Sequence, residues 1–274
     1  MKKLVGGQWM AVVVATALSC TPTAQGALGA PLEPVLTLAG KEKAPLLVTL
    51  KDLVSIESGS GDREGLDKLA ALIAGRLEAL GGKVEQIEAG AEVYRMFDTP
   101  KQIGKVVLAR FAGTGTKKIL LIAHMDTVYL RGMLAQQPFR IDGSRAYGLG
   151  ISDDKQGIAV ILHTLAMLRQ MNFRDYGELT VMINGDEEIS SPASRALLTR
   201  LGAESDAVLS FESSLVASDR LELVTAGIGA FTIKVKAVPR TRASRPSRGA
   251  TRSTSSRTRS CRHATFPTRR PGSR

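Results

Sequence analysis

Three short apolar runs in this chain each end abruptly in a histidine or a carboxylate, and that pattern limits the fold more than any other feature. Residues 118–123 run into His124-Met125-Asp126-Thr127, residues 179–184 into Gly185-Asp186-Glu187-Glu188, and residues 207–211 into Glu212. Short apolar runs bounded by turn residues read as buried strands. Stretches of helical period separate them, at about 155–171 and about 192–201. Upstream, Leu66, Leu69, Ala70, Ile73, Leu77 and Leu80 recur at helical spacing, and Gly81-Gly82 ends that helix. Residues 32–56 read as an earlier helix in which Pro45 marks a start or a break. The turn Ser58-Gly59-Ser60-Gly61-Asp62 can cap the next helix. Further strands are expected at 83–88 and 105–111, and a loop of hairpin length, 112–116, joins the latter to 118–123. Strands alternating with amphipathic helices predict the α/β class, a mixed sheet covered by helices on both faces. Such sheets bind ligands at the carboxyl ends of their strands, where these acids and this histidine lie.

Net charge needs care. The chain carries +11 over 274 residues, but residues 238–274 hold eleven Arg and no Lys, Asp or Glu. Residues 1–237 balance 26 Lys+Arg against 26 Asp+Glu, so the body is neutral. A nucleic-acid footprint is a basic patch on a folded face rather than a basic tail, and no nucleic-acid partner is expected. The first residues read as an export signal, 1–26. Lys2-Lys3 is followed by a short apolar run over 10–18 and small residues around Ala24-Gln25-Gly26. That run is too short to span a bilayer, so no membrane association is expected once the signal is removed. Secretion or a periplasmic location is preferred to lipidation at Cys20, because Ala17-Leu18-Ser19 is a poor attachment box. The other cysteine, Cys261, lies in the tail, and no disulfide framework is implied.

Each chemical cluster has a bland reading and a sharp one. His124 and Asp126, two apart on extended backbone, point to the same side. They are either a structural pair or a metal ligand with the carboxylate that fixes its tautomer. In Gly148-Leu149-Gly150-Ile151-Ser152-Asp153-Asp154-Lys155, Asp153 is either a helix N-cap or a carboxylate bridging two metal ions. Asp186-Glu187-Glu188 is either a solvated turn or a division of labour, one Glu ligating a metal while its neighbour takes a proton from water. Glu212 closes the set. Taken together these positions make an oxygen- and nitrogen-rich site suited to zinc or a similar ion.

With those residues in place, the chain resembles the co-catalytic zinc metallopeptidases that include glutamate carboxypeptidase, aminoacylase, acetylornithine deacetylase and succinyl-diaminopimelate desuccinylase. The likeness runs from about Leu46 to Lys236. The segments His124-Met125-Asp126-Thr127-Val128-Tyr129, Pro138-Phe139-Arg140, Ala146-Tyr147-Gly148, His163-Thr164-Leu165 and Arg174-Asp175-Tyr176-Gly177 look most like the glutamate carboxypeptidase branch. The resemblance implies two zinc ions. His124 and Glu212 would ligate the first, Glu188 the second, and Asp153 would bridge both. Asp126 would orient His124, and Glu187 would be the general base. It implies an N-acyl amino acid or peptide-like substrate, hydrolysed at the amide to release a C-terminal amino acid, glutamate first. A deacylase of other N-acyl amino acids is the near alternative, and a non-catalytic metal-binding remnant a further one. His163 matches no ligand and is expected to pack.

The family continues past residue 237 with a lid and dimerisation domain and a last histidine ligand, and it forms homodimers. Here residues 238–274 are rich in Arg, Ser, Thr and Pro without apolar period, a disordered composition. Back-translated with G/C-ending codons and shifted one frame, the tail from Pro239 permits Ala-His-Ala-Gly-x-Ala-Pro-Glu. The expectation is therefore a partial catalytic domain at 27–237, no lid or dimerisation domain, a frameshifted tail, an incomplete second zinc site and impaired activity.

Overall fold

Helical period and strand pattern both take effect where the sequence puts them. The computed structural model describes residues 33–96, 99–213 and 222–223. In chain order it comprises helices α1 (Glu33–Val54) and α2 (Arg63–Ala79) and strands β1 (Lys83–Ile87), β2 (Val106–Ala112) and β3 (Lys118–His124). A small hairpin follows, β4 (Arg140–Asp142) with β5 (Arg145–Tyr147), then α3 (Gln156–Gln170), β6 (Glu178–Asn184), α4 (Arg195–Ala203) and β7 (Ala207–Ser210). The expectations for 1–26 and 238–274 lie outside the described residues.

Asp62 starts α2 by accepting the Gly65 N–H at 3.1 Å. Leu66, Leu69, Ile73 and Leu77 then form one fully buried stripe along it. Truncating any of these leucines to Ala should cost about 2–5 kcal/mol.

The sheet order is β1-β2-β6-β3-β7, with β6 parallel to β3, β3 parallel to β7, and β2 antiparallel to both β1 and β6. The sheet is mixed, as expected. The 112–116 loop does not close a hairpin, because β6 inserts between β2 and β3. That loop bonds instead to the segment entering β6, through Gly113 N–H to Gly177 O, Thr114 N–H to Arg174 O and Gly115 N–H to Tyr176 O. The reason is burial. Nearly every residue of β6 is inaccessible, so it needs neighbours on both edges and cover on both faces.

Those covers exist. Helices α1, α2 and α3 pack on Val107, Ala109, Leu121, Ala123, Val181 and Ile183. On the other face Leu197, Leu198 and Leu201 of α4 meet Val106, Leu108, Leu120 and Met182. Pro45 neither starts nor breaks α1, which runs through it. A proline removes one helical hydrogen bond, but α1 is held on both sides of it. Glu42, before it, bonds to His163 and Gln170 of α3, while Leu50, Leu53 and Val54, after it, are in the core. Among the described residues no helix is long and apolar enough to cross a membrane.

Candidate metal centre

His124 ends β3, opposite Asn184 at the end of β6, while Ile122 lies opposite Ser210 at the end of β7. The residues that follow β6 and β7 therefore arrive on either side of the imidazole. His124 Nε2 lies 2.9 Å from Asp153 Oδ1, 3.5 Å from Glu212 Oε1 and 3.9 Å from Glu187 Oε2. One ligand atom each from His124, Asp153 and Glu212 falls within 4.8 Å of the others. Residues 88 positions apart in sequence thus meet at a single point, as the strand-end pattern anticipates.

Asp153 comes from the tight turn Ile151–Lys155 ahead of α3, where its φ of −137° and ψ of 94° are not helical. It is not the N-cap of α3. Lys155 holds that position without a side-chain cap bond, and the Asp153 carboxylate is directed at His124. The Asp153–Asp154 peptide is cis. Asp154, which nothing along the chain distinguishes from its neighbour, is fully buried beside the centre. Its Oδ2 accepts the His124 N–H at 3.3 Å, and its Oδ1 has no partner among the described residues. A Cβ on Gly157 would stand 2.3 Å from that Oδ1 and 2.3 Å from the Phe211 carbonyl. Glycine there lets the first turn of α3 press against both. The only sequence signal was the Asp-Asp pair itself, and the turn's backbone decides which of the two faces inward.

The Glu187-Glu188 turn is fixed from two sides by buried carboxylates. In front, Asp126 Oδ1 accepts the Glu187 N–H at 3.0 Å, and Oδ2 accepts the Glu188 N–H at 3.1 Å and the Ser60 hydroxyl at 2.8 Å. Asp126 also meets His124 Nδ1, at 3.0 Å through its carbonyl oxygen and 3.4 Å through Oδ1. Behind, Asp186 accepts the N–H groups of Ala193 and Ser194, the Ser194 hydroxyl and the Asn184 amide. This resolves the crowding of three consecutive acids. Asp186 turns inward onto its own donors, while Glu187 and Glu188 remain half-exposed at the centre. Nothing in their local sequence marks Ser60 or Asp186 for these roles.

The electrostatics describe a site short of positive charge. Burial works against a charged imidazole at His124, but Asp126, then Glu212 and Glu187, outweigh it and push the group up to about 10. Burial, with the field of Glu212, pushes Asp154 up to about 8. Glu188 goes up to about 7 through burial and then the charge of Asp153. Glu187 and Glu212 are raised above the ordinary carboxylate range, each first by burial. Lys155 does not relieve this, because its buried ammonium donates to the Ile56 carbonyl at 2.8 Å. A divalent cation would. One imidazole nitrogen, several convergent carboxylates and an orphaned buried Asp154 Oδ1 fit zinc or a similar ion. His124, Asp153 and Glu212 could hold one such ion. Glu188 lies outside that trio and, with Asp153 as its strongest charged neighbour, is suited to a second position.

Comparison with known proteins agrees with this geometry. Carboxypeptidase G2 of Pseudomonas sp. (strain RS-16) is 40% identical over 227 residues, covering 82% of this chain and 52% of that protein. A putative succinyl-diaminopimelate desuccinylase of Mycobacterium tuberculosis (strain CDC 1551 / Oshkosh) is 37% identical over 90 residues, 33% of this chain and 23% of that one. Human carnosine dipeptidase 1 shares the fold, with a TM-score of 0.55 at 20% identity over 68% of this chain and 42% of that structure. The chain thus spans about half the length of carboxypeptidase G2. The model of the peptidase family M20/M25/M40 matches residues 120–258, a span that starts inside β3, takes in His124, Asp126, Asp153, Glu187, Glu188 and Glu212 and runs on past Ala237. With half of its length matched by that model and its centre built at the strand ends, this chain belongs to the peptidase family M20/M25/M40.

Proposed function

We propose that this chain carries the metal-binding part of a zinc amidohydrolase that cleaves an amide bond and releases a C-terminal amino acid, glutamate in the first instance. The observation that carries the reading is the meeting of His124, Asp153 and Glu212 around one point, with Glu187 beside it. The likeness to carboxypeptidase G2 supports the carboxypeptidase direction, and glutamate is chosen on the segments that resemble the glutamate carboxypeptidase branch, among them residues 124–129 and 146–148. His124, Asp153 and Glu212 would hold a first zinc ion, and Glu188, with Asp153 as its neighbour, would contribute to a second position that these residues alone leave incomplete. When bound, zinc polarises the amide carbonyl and brings the pKa of water toward neutrality. Glu187, raised by burial, takes a proton from the attacking water and returns it to the leaving nitrogen. Asp126, holding His124 at Nδ1, would leave the Nε2 lone pair for the metal ion. The substrate is an N-acyl amino acid or folate-like amide, met after export.

The test is zinc titration of the purified chain, followed by amino-acid release from N-acyl glutamates and from N-acyl derivatives of other amino acids. Zinc uptake with preferential glutamate release supports the reading. Preference for another amino acid favours the deacylase alternative. Zinc uptake without hydrolysis of any of them leaves a metal-binding remnant, and failure to take up zinc refutes the proposal. We further propose, from the composition break at Val238, that the Arg-rich segment is read out of frame. Sequencing the gene across that codon decides it, since an uninterrupted frame with no His-Ala-Gly reading alongside would rule it out.

A further inference from the structure

Asp126 lies at the middle of the centre with no access to water, so protein groups alone set the plane of its carboxylate. The torsion about Cβ–Cγ of an aspartate is broad and gives little orientation by itself. Each oxygen here has two neighbours. Oδ1 takes the Glu187 N–H and faces His124 Nδ1, and Oδ2 takes the Glu188 N–H and the Ser60 hydroxyl. An ionised carboxylate offers about four acceptor directions; three take hydrogen bonds here, and the fourth side faces His124 Nδ1 at 3.4 Å. Three of those neighbours belong to the ligand and base groups whose placement is in question. Only Ser60 comes from elsewhere, the turn between α1 and α2.

That turn is itself rigidly placed. Thr127 N–H donates to the Ser58 carbonyl at 2.9 Å and Ser60 N–H to the Thr127 carbonyl at 3.1 Å, while Gly59 pairs with Thr127 in an isolated bridge. A Cβ on Gly59 would lie 2.2 Å from the Tyr129 carbonyl oxygen, so only glycine allows this approach. We propose that Ser60 is a positioning residue: its hydroxyl locks the Asp126 carboxylate, and through it holds the Glu187-Glu188 turn against His124. The hydroxyl reaches neither the ligand atoms of His124, Asp153 and Glu212 nor Glu187 by any hydrogen bond of its own. It acts by stopping one carboxylate from rotating. For catalysis this rests on the function proposed above; the clamp as a structural device does not.

The decisive experiment compares the full chain with Ser60→Ala and Ser60→Thr. It measures site-resolved amide hydrogen exchange at Glu187 and Glu188 without metal, zinc affinity by chelator competition, and kcat and KM on an N-acyl glutamate. Ser60→Ala should speed exchange of both amides about tenfold or more. It should weaken zinc about tenfold, in the range found for outer groups that orient ligands, and lower kcat with little change in KM. Ser60→Thr, which keeps the hydroxyl, should restore all three. Unchanged exchange in a folded Ser60→Ala, or a Ser60→Thr as impaired as the alanine variant, overturns the clamp. If Ser60→Ala does not fold, the threonine comparison and Gly59→Ala, which displaces the same turn, decide in its place. A wild-type chain that takes up no zinc and hydrolyses nothing refutes the function, while the exchange rates still judge the clamp.

Discussion

The two histidines among the described residues sit in very different company, although each touches a carboxylate. His163 on α3 meets Glu42 Oε2 with Nδ1 at 2.6 Å and Thr49 Oγ1 with Nε2 at 2.9 Å, and Arg76 donates to the same Thr49 hydroxyl at 2.7 Å. One carboxylate, one hydroxyl and a nearby guanidinium leave it satisfied, with neither ring nitrogen free for a ligand. At His124, Nδ1 is held by Asp126, while Nε2 faces Asp153, Glu212 and Glu187 together. A surplus of negative charge at one nitrogen, rather than contact with an acid, is what marks a metal ligand. His163 instead ties α1 to α3, as its helical position suggested.

The largest effect that should separate the two sites is catalytic. Glu187→Gln should lower kcat by roughly 10²–10⁴-fold, the usual contribution of a general base, while zinc stoichiometry stays the same. Retained activity would remove Glu187 from that role. Next is pH. In the metal-free protein His124 is raised from 6.5 to about 10, Glu188 from 4.5 to about 7 and Asp154 from 3.8 to about 8. A raised folded pKa gives stability that is complete below the unfolded value and lost as pH rises through the folded one. Thermal midpoints without metal should therefore decline from about pH 4 towards pH 10 on account of these groups. Zinc affinity should climb over the same interval, with proton release on binding that a pH-stat can count. A zinc affinity independent of pH would contradict all three shifts.

The other histidine should answer only in stability. His163→Ala should cost about 1–3 kcal/mol by thermal denaturation, the loss of a hydrogen bond to a charged partner, and leave zinc affinity unchanged. A change in zinc affinity would show that the sites are not independent. The smallest effect belongs to Glu42, whose pKa is lowered chiefly by its hydrogen bond to His163. A lowered carboxylate stabilises the fold above the unfolded value of 4.5, and that stability is lost as acid takes the pH through the folded value. Glu42→Gln should abolish this acid-side loss, and melts between pH 3 and pH 6 would show it.

Much of the site was legible because strand ends are legible. His124, Glu187, Glu188 and Glu212 each follow an apolar run, and Asp153 precedes a helical one. Ser60, Asp154 and Asp186 were not, for a common reason. Their importance depends on which donor or acceptor faces them, and a serine in a Ser-Gly-Ser-Gly turn or the second aspartate of a pair carries no such information in its neighbours. Pro45 misled for the opposite reason. A local rule against proline in helices was overridden by packing on both sides of it.

The sequence by itself determined the elements, their polarity pattern and the chemical types gathered at their ends, because periodicity and strand-end residues are properties of neighbours along the chain. Only the tertiary structure decided that β6 lies between β2 and β3, so that Glu187 and Glu188 stand beside His124 while Glu212 arrives from β7 on the other flank. Strand order is set by which apolar faces can be buried together, and β6, inaccessible on both faces, had to take an interior place. It is likewise the close approach of the Gly59 turn to Thr127, invisible along the chain, that brings the Ser60 hydroxyl within reach of Asp126.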